Sequence, residues 1–227
     1  MYTDFQRSKA AIYKSHRQRD PIVLKKKHIL QFDDEFERLT TAEPTMSVLE
    51  IGCGAGLFLR YLRHKGFENV TAVDYDENLR DVLADLAGYD LHFGDASEFV
   101  ESLVNKETFD RIVLFDVIEH MPIDDIVAMM RRLDAVLAPG GKILIRVPNV
   151  SSPWGLNVFF GSFDHVTPFS PGRIHELSHI TGFRCTTIVG QTTGKLRRKI
   201  LQRVLHAVLS KTLTSPPTSG GRTFCAF

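Results

Sequence analysis

Val48-Leu49-Glu50-Ile51-Gly52-Cys53-Gly54-Ala55-Gly56 decides the fold. A short apolar run carries one acidic residue, and glycine follows at three alternate positions. Such a run reads as a buried strand entering a tight turn, with a helix beginning near Leu57. Glycine belongs where backbone comes close to a ligand or takes positive φ. A helix that starts after such a turn directs free N–H groups at a polar or anionic ligand. Two common nucleotide motifs are excluded by spacing. The dinucleotide fingerprint G-x-G-x-x-G needs glycine where Leu57 stands, and the Gly-Lys-Ser/Thr of a P-loop is absent.

Outward from this turn the chain alternates short apolar runs with amphipathic ones. Strands are predicted over 46–51, 70–73, 90–93, 109–115 and 142–147. Helices are predicted over 57–65, 77–86, 99–104 and 124–137, the last stopped by Pro139-Gly140-Gly141. The 109–115 run is mostly apolar, as in a strand buried on both faces. This β-α-β-α rhythm predicts a doubly wound parallel sheet with right-handed crossovers. After the fifth strand comes a loop-like insert, 148–172, rich in Pro, Ser, Gly and Phe. A helix over 171–182, a strand over 183–189, a long amphipathic helix over 195–213 and a final strand over 222–227 complete the chain. Upstream, 1–45 is polar and helical in texture. Phe5, Ile12 and Tyr13 could share one helix face, and 22–39 holds a second helix after Pro21. The Lys25-Lys26-Lys27 run reads as a solvated face.

Composition narrows the class. The 227 residues suit one domain with added segments, and the net charge of +1 offers no bulk attraction to nucleic acid. Cys53, Cys185 and Cys225 are odd in number and lack C-x-x-C spacing, which points to a reducing compartment and away from a cysteine-rich zinc site. The polar first 20 residues do not read as a signal peptide, and no run approaches the roughly 18 apolar residues of a membrane span. A cytoplasmic protein is expected.

In open α/β sheets ligands bind beyond the carboxyl ends of the strands. Four strand ends here carry suitable groups: Glu50 with Gly52, Cys53, Gly54 and Gly56; Asp74-Tyr75; Gly94-Asp95-Ala96; and Phe115-Asp116. Asp74, about 20 residues past the glycine turn, is placed to accept from ribose hydroxyls. Singly, Asp74 and Asp95 read equally well as loop or helix-capping residues. Together with E-x-G-x-G-x-G and Leu137-Ala138-Pro139-Gly140-Gly141, they resemble the class I S-adenosylmethionine (SAM)-dependent methyltransferases. The resemblance spans about 46–190. It implies a seven-stranded Rossmann-like sheet with an antiparallel last strand, an N-terminal helical lid (1–45) and a methyltransferase domain (46–227). It implies SAM as cofactor, with the glycine turn under the methionine end, Asp74 on the ribose, Tyr75 on the adenine face, Asp95 and Ala96 at the adenine amine, and Phe115 beside the methionine.

Three motifs compete for the chemistry. Asp116-Val117-Ile118-Glu119-His120 resembles the E-x-x-E-H motif of ubiquinone-biosynthesis O-methyltransferases, whose acidic residues and histidine help bind a divalent metal. Here Asp116 replaces the first Glu and sets its ligand back by about one methylene. The set Asp116, Glu119 and His120 is therefore a candidate metal site, weighed against a loop-fixing role, and the reaction is not expected to depend on metal. In the insert, Gly161-Ser162-Phe163-Asp164-His165-Val166-Thr167-Pro168-Phe169 follows Pro148-Asn149-Val150-Ser151-Ser152-Pro153. The run Val147–Pro153, followed by Asp164-His165-Val166-Thr167-Pro168-Phe169-Ser170, resembles methyltransferases encoded among polysaccharide and lipopolysaccharide biosynthesis enzymes. An imidazole titrates near neutrality, so His165 can accept a hydroxyl proton. The catalytic candidates are His165, Asp116 and His120. Trp154, Phe159, Phe160, Phe163 and Phe169 form either an acceptor wall or a satellite core. Third, His175-Glu176-Leu177-Ser178-His179 is a literal H-E-x-x-H, but Cys185 stands where the longer zinc pattern has its third histidine. A structural helix explains it more simply.

The expected function is transfer of a methyl group from SAM to a small-molecule or glycan acceptor, at a hydroxyl. A quinone-like metabolite, a protein or nucleic acid, or SAM binding without catalysis are the alternatives. D-V-I-E-H rather than N/D-P-P-Y/F after strand 4 argues against base methylation. The basic amphipathic stretch 195–211 reads as a face for packing or homodimerisation, with peripheral contact to an anionic membrane as the competing reading.

Overall fold

The structure is a computed structural model that describes residues 22–191, 204, 211 and 222–227. The 5–13 helix and the body of the 195–213 helix lie outside the described residues. The strands are β1 (Val48–Ile51), β2 (Val70–Asp74), β3 (Asp90–Phe93), β4 (Phe109–Phe115), β5 (Leu137–Pro148), β6 (Thr187–Gly190) and β7 (Arg222–Ala226). They form one seven-stranded sheet in the order β3-β2-β1-β4-β5-β7-β6. β1 to β5 pair in parallel, and β7 runs antiparallel to both β5 and β6. The strand order reverses between β1 and β4, so the glycine turn leaves the sheet at its topological switch point.

Helices cover both faces: α1 (Lys26–Phe32), α2 (Leu57–His64), α3 (Leu79–Val82), α4 (Ala96–Leu103), α5 (Ile123–Ala135), α6 (Pro153–Phe159) and α7 (Pro171–Thr181). The period-two alternation of the strands sorts the core into two layers. Leu49, Ile51, Ile112, Leu114, Ile143 and Ile145 pack with α5 and α7 on one face. Val48, Val113, Phe115 and Leu144 pack with α1 and α2 on the other. Every residue of β1 and β2 is buried, Glu50, Thr71 and Asp74 included, so neither strand shows a polar/apolar alternation.

Several boundaries differ from expectation. The 22–39 helix is interrupted: α1 passes into a π-helical turn, Asp33–Glu37, then a last α-turn, Arg38–Thr40. That turn keeps Phe32, Glu35 and Phe36 all buried. The 77–86 helix is split into α3 and a 3₁₀ turn, Ala84–Leu86, because Leu83 leaves helical geometry. β5 begins at Leu137, which pairs with Phe109, and the register then jumps to Arg111↔Lys142. Pro139-Gly140-Gly141 is thus a kink within a strand. A Cβ on Gly141 would lie 2.8 Å from the Ala138 carbonyl oxygen, so only glycine fits. The insert carries α6, and β6 is shorter than expected. No helix among the described residues is long and apolar enough to cross a membrane.

Candidate active site

Each member of the glycine turn takes positive φ: Gly52 +75°, Gly54 +51° and Gly56 +74°. L-residues with a Cβ rarely adopt these angles. Packing adds a second constraint. A Cβ on Gly52 would sit 2.6 Å from Val117 Cγ2, and one on Gly56 2.5 Å from Leu83 Cδ2. The turn is pinned to β2 by N–H donation from Gly52 to the Val73 carbonyl (2.8 Å) and from Gly54 to Asp74 Oδ2 (2.7 Å). Asp74 Oδ1 accepts from the Asp76 N–H. Asp74 therefore anchors the turn, and a carboxylate with about four acceptor sites retains capacity for a ligand hydroxyl. Cys53 is buried in the same turn, and Tyr75 stands exposed beside Asp74. Asp95 caps α4, its Oδ1 accepting from Ser97 and Glu98 N–H groups. Its second oxygen has no partner among the described residues, and Ala96 is half-buried next to it.

Glu50 is the orphan at this end. It is 3% exposed, and its Oε2 has no hydrogen-bond partner among the described residues. Burial first, then the nearby Asp74, push its carboxyl well above the ordinary range, against the pull of Arg146. A buried unpaired acceptor beside a positively curved glycine turn is the environment that a polar, cationic ligand group relieves.

Phe115 ends β4 between two planes. The Arg146 guanidinium lies 4.4 Å over its ring, and Phe32 stacks at 5.8 Å. Asp116 follows in a left-handed conformation, φ +57°. Its Oδ2 accepts from Arg146 Nε (2.9 Å) and Nη2 (2.6 Å), while Arg222 Nε lies 2.8 Å from Oδ1. Arg146 Nη1 also approaches Glu35 Oε2 at 3.4 Å, and Glu35 Oε1 accepts from Gln191 (2.8 Å). Burial raises the Glu35 carboxyl, and the bonds from Gln191, Arg146 and Gln31 hold it down. Glu35, Arg146, Gln191 and Arg222 were not singled out from sequence. The one available signal was Arg146, a charge inside the apolar run Ile143–Val147.

The expected metal set therefore divides. Asp116 is committed to two arginines. The ligand atoms that do come within 4.8 Å of one another belong to Glu119, His120 and His165. Among the described residues, these three are the ones able to approach a cation together. Glu119 is fully buried with neither oxygen hydrogen-bonded among the described residues. Burial, and secondarily Asp116, push its carboxyl up to about 8.

The insert is bound to this turn. Val166 and Thr167 N–H groups donate to the Glu119 carbonyl (2.8 and 3.1 Å), and Thr167 Oγ1 donates to the Met121 carbonyl (2.6 Å). His165 is thereby brought to His120, with ring centroids 4.8 Å apart. Its Nδ1 lies 2.8 Å from the Phe159 carbonyl, and His120 Nδ1 lies 3.2 Å from the Asp164 carbonyl. A carbonyl only accepts, so Nδ1 carries the proton in each ring. In neutral His165 the Nε2 lone pair is left as the basic site. The Phe159 carbonyl thus orients the His165 ring. Phe159 stacks on His165 at 5.5 Å, Phe169 is buried, and Phe160 and Phe163 are exposed at 76% and 90%. The aromatic group, read as an acceptor wall or a satellite core, is thus split between core and surface. His175, Glu176 and His179 all lie on the exposed face of α7, while Ile174 and Leu177 face the core.

With this geometry in view, comparisons with known proteins place it. A family model described as a methyltransferase domain matches residues 15–188. A ubiquinone biosynthesis O-methyltransferase of Rickettsia conorii is 27% identical over 54% of this chain and 42% of that protein. One from Coxiella burnetii is 28% identical over 63% of this chain and 65% of that protein. The chain thus spans less than two thirds of the length of these curated relatives. A SAM-dependent methyltransferase structure from Archaeoglobus fulgidus superimposes with a TM-score of 0.69 at 18% identity, covering 96% of this chain and 98% of the other.

Proposed function

The chain belongs to the methyltransferase-domain family and has the class I SAM-dependent fold, and from that premise we propose that it methylates a hydroxyl of a small-molecule or glycan acceptor. When bound, SAM supplies an electrophilic methyl group on a sulfonium sulfur. The glycine turn, Glu50 and Asp74 would hold its amino-acid and ribose parts, with Tyr75, Asp95 and Ala96 at the adenine. Phe115 would line the methionine end, and the rigid turn fixes the direction of approach.

The observation that carries the reading is the fixed tautomer of His165, set by the Phe159 carbonyl at 2.8 Å. It leaves Nε2 as a proton acceptor on a loop docked against the turn after β4. An acceptor hydroxyl hydrogen-bonded to Nε2 loses its proton there as its oxygen takes the methyl. His120, held in the same tautomer, shares the mouth of the site. The polar floor of Asp116, Arg146 and Arg222 supports an acceptor with several hydrogen-bonding groups.

A sugar hydroxyl is the favoured class, on the likeness of the 148–169 segment to methyltransferases of polysaccharide biosynthesis. A phenolic hydroxyl is the second reading, since the relatives above are O-methyltransferases of ubiquinone biosynthesis. Methyl transfer from isotopically labelled SAM to a panel of nucleotide sugars and catechols tests both. Label entering a sugar in wild type, and falling about 100-fold in His165→Ala, is the expected result. Label entering no hydroxyl compound, or unchanged transfer by the variant, overturns it.

A further inference from the structure

We propose that Cys185 and Cys225 form a reversible intramolecular disulfide, a thiol oxidation site outside the methyl-transfer machinery. Their Sγ atoms lie 2.6 Å apart. Both cysteines are free, and a disulfide bond about 2.05 Å long needs only a small further approach of the two sulfurs. Sequence spacing gave no hint of the pair, because the two are 40 residues apart. Backbone pairing brings them together. Ala226 pairs with Thr187, and its carbonyl accepts from the Thr186 N–H and the Thr186 Oγ1, both at 2.8 Å. Cys185 and Cys225 flank that doubly held carbonyl, so their approach is built into the β6–β7 pairing. Cys225 is 1% exposed within the α5/α7 layer of the core. Cys185 is only partly buried and is the sulfur a small oxidant meets first. Burial, and then Cys185 itself, hold the Cys225 thiol well above its ordinary range, which makes Cys225 a poor first nucleophile. Cys53 packs in the opposite core layer and is not a competitor.

Glutathione disulfide is a sufficient oxidant. The Cys185 thiolate attacks one of its sulfurs, forming a mixed disulfide and expelling glutathione thiolate. Cys225 then attacks the Cys185 sulfur. The protein disulfide forms, the second glutathione leaves, and the two protein protons end on the two glutathiones. Two electrons pass from protein to glutathione disulfide. The bond would fasten β6 to β7, the strand that also delivers Arg222 to Asp116.

The test is thiol trapping of the full-length protein across a series of reduced-to-oxidised glutathione ratios, followed by peptide mass mapping. A Cys185–Cys225 linked peptide should grow in with oxidation, leaving one alkylatable thiol of the original three. Cys225→Ser should instead stop at the Cys185–glutathione adduct. The oxidised wild type should unfold roughly 5–10 °C above its reduced form, a difference absent in Cys185→Ser. Should either variant fail to fold, the wild-type peptide map decides alone. Three alkylated thiols at the most oxidising ratio, or a link involving Cys53, would overturn the proposal.

Discussion

Replacing Glu119 by Gln should make the protein more stable, and increasingly so as pH rises. Glu119 is fully buried, neither oxygen is hydrogen-bonded among the described residues, and burial pushes its carboxyl up to about 8. In the unfolded chain the same group titrates near 4.5. Between these values the native state keeps a proton that the unfolded state has released. Stability then falls with pH, by about 1.36 kcal/mol per unit for one proton. Below about pH 4.5 both states are protonated and nothing is lost. Above about pH 8 both are ionised and the full penalty applies, at most about 5 kcal/mol over the window. Gln keeps the shape and cannot ionise. Urea denaturation at pH 5, 7 and 9 reads the difference, with linear extrapolation at each pH. The variant's advantage should be near zero at pH 5, intermediate at pH 7, and about 2–5 kcal/mol at pH 9. A difference independent of pH, or a variant less stable than wild type at pH 9, would refute the reasoning. The second result would mean that the carboxylate is paired and stabilising.

Other perturbations separate the parts of the site. His165→Ala should lower turnover about 100-fold and leave SAM affinity within about 3-fold, measured by single-turnover methyl transfer beside equilibrium binding. Gly56→Ala places a Cβ 2.5 Å from Leu83 at φ +74° and should cost about 2 kcal/mol or more, whereas Gly88→Ala, with nothing within 4 Å, should be close to neutral in the same denaturation assay. Asp116→Ala removes the carboxylate that Arg146 and Arg222 share and should destabilise by about 1–3 kcal/mol, with Asp116→Asn intermediate. Exhaustive chelation should leave turnover unchanged, which a metal-content measurement on the same sample makes interpretable.

Much of this architecture is legible in the chain itself. Parallel strands buried on both faces leave apolar runs, and the runs here end in Glu50, Asp74, Asp95 and Asp116 in chain order. Glycines at 52, 54 and 56 announce a turn that tolerates no side chain. His165 stands out because a histidine and an aspartate sit within a Pro- and Phe-rich insert. What could not be read was pairing over long separations. Arg146 meets Asp116 across 30 residues and Glu35 across 111; a charge inside the apolar run Ile143–Val147 stands out, but nothing near it in the chain names its partners. Asp95 was equally consistent with a ligand contact and a helix cap, and the cap is what its Oδ1 makes. Pro139-Gly140-Gly141 predicts a helix stop but kinks β5 instead, since proline and glycine punctuate helices and strands alike.

Binding of S-adenosylhomocysteine by isothermal titration tests the central claim most directly, since it asks whether the glycine turn is a cofactor site. Wild type should bind one equivalent in the micromolar range. Asp74→Ala, which removes both the turn's anchor and the ribose acceptor, should lose about 30-fold or more, with folding checked by circular dichroism. Absence of binding by wild type, or equal affinity in a folded Asp74→Ala protein, would contradict the account.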